Sequence, residues 1–104
     1  MLTSFVIGCA TIEQLAPPVD EVMLSSADVD GRTFAMLQDG RNLYITRCAR
    51  CHSPESVTAY TREQWSTILP RMAERTALSV RERLDLTEYV MAVLTVHQFP
   101  LSTE

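Results

Sequence analysis

From residue 33 onward the apolar positions recur at helical rather than alternating spacing. Phe34, Leu37, Leu43, Tyr44 and Ile45 predict a first helix from about Thr33 to Ala49, interrupted by Gly40. Trp65, Ile68, Leu69 and Met72 fall at i, i+3, i+4 and i+7 and form one stripe of a second helix. Thr61 is its N-cap, and Gln64 three residues later completes a capping-box pattern. Pro70 lies inside this stripe. It lacks a backbone donor and crowds the carbonyl of Ser66, which predicts a kinked or split helix. A third helix opens at Ser79 with Glu82 three residues on, carries Leu86, Tyr89, Val90, Val93 and Leu94 on one face, and stops before Pro100. No run alternates as a strand would, so the expected class is all-α.

The first 31 residues read differently. They hold five acidic residues and no basic one, with Pro17-Pro18, Ser25-Ser26 and an Asp28-Val29-Asp30-Gly31 turn signal. Residues 10–31 are expected to be an acidic, extended tether, leaving 32–104 as the folded domain. Across all 104 residues the net charge is −4, and all nine basic residues are Arg. That balance argues against a nucleic-acid-binding domain.

Three cysteines are an odd number, and each needs a reason. Two belong to Cys48-Ala49-Arg50-Cys51-His52, a C-x-x-C-H signature of covalent c-type haem attachment. The two thiols add across the two haem vinyl groups, the two-residue spacer sets both sulfurs along one porphyrin edge, and the next residue brings an imidazole to the iron. Rival readings lack their context. A redox C-x-x-C opens a helix beside a βαβ unit, whereas this one closes a helix. Structural zinc needs four ligands in paired spacing, and the chain offers only Cys9 and His97 beyond the motif. A Cys48–Cys51 disulfide would close too short a loop to stabilise much.

With these residues in view, positions 33–98 resemble a small class I monohaem c-type cytochrome. In that family a helix ends at C-x-x-C-H, with a Gly eight residues and an aromatic four residues before the first Cys; Gly40 and Tyr44 match. The family's C-terminal helix crosses this point with an aliphatic and an aromatic residue three apart, as Leu86 and Tyr89 are. A missing side chain at Gly40 suits close approach of two helix backbones. The resemblance implies three main helices around one haem c, with Cys48 and Cys51 as thioether donors and His52 as an iron ligand. It implies a Met as the sixth ligand, which raises the reduction potential relative to a second His. Of Met23, Met36, Met72, Met91 and His97, Met72 matches best, in Trp65-x-x-Ile68-Leu69-Pro70-Arg71-Met72. It lies 20 residues after His52, a shorter spacing than in many family members. As a plain helix residue Met72 is also the fourth member of an apolar stripe. Trp65 is expected near the haem or simply in the core, and Arg62, Arg71 or Arg75 suit the propionates.

Val6-Ile7-Gly8-Cys9 resembles a bacterial lipobox, in which Cys9 is acylated and becomes the mature N-terminus. No basic n-region precedes it, and the apolar stretch is shorter than a usual signal core, so either translation starts upstream or Cys9 is an unmodified terminal thiol. Lipid anchorage and haem attachment both imply the periplasmic side of a bacterial membrane. The expected function is one-electron transfer to redox partner proteins, not enzymatic catalysis. Two other classes remain: a sensor of small ligands, if the sixth iron position is open, and a haem enzyme using His97, the one spare His, as acid–base group. A fixed subunit of a larger oxidoreductase is a further form of the carrier reading. The helical part is only about 65 residues, a size at which an apolar core alone is marginal, so the chain without haem is expected to be largely unfolded.

Overall fold

A computed structural model describes residues 11–26, 33–47 and 55–97. It contains five helices: α1 (Ile12–Leu15), α2 (Glu21–Ser26), α3 (Phe34–Thr46), α4 (Arg62–Arg75) and α5 (Val80–His97), with a 3-10 turn at Val57–Ala59 before α4. No strand occurs among the described residues. The chain is all-α, as its periodicity implies.

Each helix begins with a side chain that satisfies backbone donors left over in its first turn. Thr33 Oγ1 accepts from the Met36 amide at 3.1 Å and starts α3. Thr61 and Gln64 cap α4 reciprocally at 3.1 and 2.8 Å, and Ser79 and Glu82 do the same for α5 at 3.1 and 2.9 Å. The α4–α5 connection is a Schellman motif. Leu78 N–H donates to Ala73 O at 3.1 Å and Ala77 N–H to Glu74 O at 3.3 Å. Ala77 adopts the left-handed conformation this requires, with φ of 56°, where glycine would sit without strain.

The centre of the fold is α5, which packs against α2, α3, α4 and the 3-10 turn. Its predicted stripe, Leu86, Tyr89, Val90, Val93 and Leu94, is buried throughout. α3 crosses it at Gly40. A Cβ there would stand 2.7 Å from the Cβ of Tyr89, 2.8 Å from the carbonyl carbon of Asp85, and closer still to that carbonyl's oxygen. The crossing thus needs a residue without a side chain.

Two expectations are corrected. Pro70 does not split the second helix: α4 runs continuously through it. Pro70 is exposed and so is Ser66, whose carbonyl loses the proline's hydrogen bond, so the gap lies toward solvent. The described part of the N-terminal segment, residues 11–26, is not an extended tether. Thr11 and Gln14 form a capping box for α1, and Asp20 Oδ1 accepts the Met23 amide at 2.9 Å to start α2. Ala16 and Met23 are fully buried against the core. Two long-range hydrogen bonds hold the segment down: Tyr89 Oη donates to Pro17 O at 2.6 Å, and Arg41 Nε to Ala16 O at 2.9 Å. Burial of Ala16, Val19 and Met23 outweighs the solubility of Glu13, Asp20 and Glu21, which all face water.

Candidate functional site

The C-x-x-C-H motif, with Cys48, Cys51 and His52, lies outside the described residues, as do Cys9 and Pro100. Both flanks of the motif are described. α3 delivers the chain to Arg47, whose N–H donates to Leu43 O at 2.9 Å. The Arg47 guanidinium reaches Glu82 at 3.6 Å, and the other oxygen of that carboxylate caps Ser79. The approach to the motif is therefore referred to the start of α5 as well as to α3. With both side chains partly exposed, this ion pair contributes little energy.

Beyond the motif the chain resumes at Glu55 and enters an aromatic cluster. Tyr44 Oη donates to the Glu55 carbonyl, and Tyr60 Oη donates to the Glu55 carboxylate at 2.5 Å. That carboxylate holds the Tyr60 hydroxyl above the ordinary tyrosine pKa, because it accepts the proton a phenolate would lack. Trp65 stands between the two rings, edge-on to Tyr44 at 6.1 Å and to Tyr60 at 5.4 Å. Its indole Nε1 donates to Val57 O at 2.7 Å, so a large buried side chain keeps its one polar group paired. Spacing alone marked Trp65 as core or haem neighbour. Its bond to Val57 was not readable, because that partner sits in an irregular turn.

The sixth-ligand candidates expected from sequence lie in different parts of the fold. Met72 is half-buried on α4, packed at the edge of the core with Ile68 from the same stripe. Met23 is fully buried under α5, and Met36 is half-buried near the start of α3. The Met91 sulfur lies 3.2 Å from Arg62 Nη1, and Arg62 Nη2 donates to Thr95 Oγ1 at 3.2 Å. Arg62 is thus occupied on α5, whereas Arg71 and Arg75 are exposed on α4 beside Met72. His97 is exposed in the last turn of α5. Among the described residues no three His, Cys, Asp or Glu side chains converge as a metal cluster, and no helix is long and apolar enough to cross a membrane.

A polar cleft of about 430 Å³ separates the second half of α3 from the start of α5. Asp39, Asn42, Arg47, Arg81, Glu82 and Asp85 line it. Asp85 is the one buried charge among the described residues, and Arg81 Nε pairs with it at 3.1 Å. Across the cleft Arg47 of the α3 end pairs with Glu82 of α5, and Arg81 pairs with Asp85 along α5. Compared with protein-family models, curated proteins and solved structures, the chain matches none.

Proposed function

We propose that this chain is a c-type cytochrome that carries one electron on the periplasmic side of a bacterial membrane. The observation that carries this reading is C-x-x-C-H placed directly after a helix that crosses α5 through Gly40. The donor chemistry fits a covalently held haem: Cys48 and Cys51 would form the thioethers, and His52 and Met72 would hold the iron. When bound, the haem supplies reversible one-electron chemistry at iron. The chain's part is to ligate, to exclude water and to hold the group at a fixed depth. Tyr44, Val57, Trp65 and Leu69 are buried apolar residues available for that wall.

Anchorage through an acylated Cys9 belongs to the same proposal. Since Thr11 already caps α1, only Ala10 separates Cys9 from the folded segment. An anchor there holds the domain at the bilayer surface and gives it little reach. Electrons would then pass to redox partners that come to the membrane, or within a complex of which this chain is a subunit.

Absorption spectra of the full chain, produced with haem-maturation machinery, test the reading, with Met72→Ala alongside. A weak far-red sulfur-to-iron charge-transfer band in the oxidised protein, lost in Met72→Ala, supports Met72 ligation and electron carriage. Wild-type protein that lacks this band and binds carbon monoxide when reduced would instead support ligand sensing.

A further inference from the structure

We propose that Tyr44 and Tyr60 are positioning residues that clasp Glu55 and thereby fix the haem-attachment segment, an inference that rests on the cytochrome reading. Glu55 lies three residues past His52 and is held at two points by two different elements. Tyr44, on α3, binds its main-chain carbonyl; Tyr60, after the 3-10 turn, binds its carboxylate. Trp65 on α4 supports both rings edge-on and fixes Val57, two residues further on, through its indole N–H. On the other side of the motif, the Arg47 main chain is held by the last turn of α3, its N–H donating to Leu43 O.

The seven residues between Arg47 and Glu55 therefore start and finish on one frame. Tyr44 sits only three residues before Arg47, so the same stretch of α3 governs both ends. In the folded chain, fixing both ends of so short a segment would limit the positions open to His52. The hydroxyls are not required for packing, since phenylalanine would fill the same space. Their convergence on one residue beside the motif is what a positioning role explains.

The consequence is electrochemical. Releasing Glu55 loosens the segment that carries His52 and admits water beside the haem, which favours the ferric state and lowers the potential. A single net hydrogen bond, if made in one oxidation state only, corresponds to at most about a five-fold change in the ferric-to-ferrous equilibrium. Expressed as the ferric-to-ferrous ratio at fixed potential, five-fold is ~40 mV at 59 mV per decade for one electron.

The test is the midpoint potential of the full-length haem protein as wild type, Tyr44→Phe, Tyr60→Phe and Tyr89→Phe. Tyr89→Phe is the matched control, since it also deletes a tyrosine-to-carbonyl hydrogen bond, to Pro17, but away from the motif. The expected result is a potential lowered by up to about five-fold in that ratio for Tyr44→Phe and in the same direction for Tyr60→Phe, with Tyr89→Phe unchanged although less stable to heat. Should buried Tyr44→Phe fail to fold, the half-buried Tyr60 still decides the matter. Haem-bearing variants with the wild-type potential, or a Tyr89→Phe shift as large as the others, would overturn the clasp alone. A wild-type chain that attaches no haem would overturn the cytochrome reading and the clasp together.

Discussion

Gly40→Ala separates tertiary packing from local propensity, because the two predict opposite signs. Alanine is the better helix former by about 1 kcal/mol, so an α3 that merely tolerated a glycine would gain stability. The new methyl carbon, however, would lie 2.7 Å from Tyr89 Cβ and 2.8 Å from the Asp85 carbonyl carbon. Ordinary carbon contacts are about 3.5–4.0 Å, so α3 and α5 must part by about 1 Å. Neither neighbour can swing aside, since one is main chain and the other a Cβ. Overpacking of this kind costs roughly 1–3 kcal/mol, and an immovable neighbour puts it at or above the upper end. After the propensity gain, a net loss of about 2 kcal/mol remains. For a domain of this size that lowers the thermal midpoint by about 10 °C. Thermal unfolding of full-length wild type and Gly40→Ala prepared alike, followed by far-UV circular dichroism, measures it. An unchanged or raised midpoint would refute the close crossing.

Other outcomes follow from the same packing. Met23→Ala should destabilise by about 2–5 kcal/mol in urea unfolding, whereas a side chain on a loose tether would cost nothing. Ala77→Gly should raise the thermal midpoint by a few degrees, about 0.5–1 kcal/mol, by relieving the left-handed alanine at the end of α4. Burial raises the Tyr89 hydroxyl pKa, opposed by the nearby Arg41 guanidinium. The folded chain then holds that proton more tightly than the unfolded chain, whose tyrosines titrate near pH ~10. This contribution to stability is complete below that pH and declines above it, so Tyr89→Phe should flatten the alkaline fall of the urea midpoint. Replacing Cys48 and Cys51 together by Ser should remove about half or more of the far-UV helical signal, if the haem completes a core too small to hold alone.

Signals that act over three or four residues were legible in the sequence. Thr61-x-x-Gln64 and Ser79-x-x-Glu82 mark helix starts because both partners of each hydrogen bond sit within one turn. The α5 stripe was legible because a long helix repeats its pattern several times. The N-terminal segment was misread for the converse reason. Val19, Met23 and Leu24 lie in or beside a helix of six residues, too short for a period to emerge. Their partners lie far along the chain, as the Tyr89–Pro17 bond shows with 72 residues between its ends. Acidic residues and a Pro-Pro pair suggested a solvated spacer; Glu13, Asp20 and Glu21 do face water, but Pro17 is half-buried and accepts from Tyr89. Thr11-x-x-Gln14 was the available local signal, a capping box of the same kind as the one recognised before α4. For the candidate site, the motif was legible through its spacing. The Tyr44–Glu55–Tyr60 clasp was not, since it pairs a helix hydroxyl with a main-chain carbonyl that no side-chain pattern announces.

These placements link the N-terminal segment to the helix that leads into the C-x-x-C-H motif. Tyr89 touches both systems: its Cβ bounds the Gly40 crossing that sets α3, and its hydroxyl holds Pro17 in the N-terminal segment. Arg41, one residue after Gly40, completes the circuit by binding Ala16 O. The N-terminal segment is therefore fastened to the two helices that determine where the C-x-x-C-H segment begins. A chain that needed to swing its redox centre between distant partners would place a flexible spacer between anchor and domain. Here residues 11–26 do the opposite, burying Met23 and tying their backbone to α3 and α5. With Cys9 as the anchor, the domain's orientation at the membrane would be set through the contacts that dock residues 11–26 on α3 and α5. Short-range transfer to a partner in the same membrane then suits this architecture better than long-range carriage.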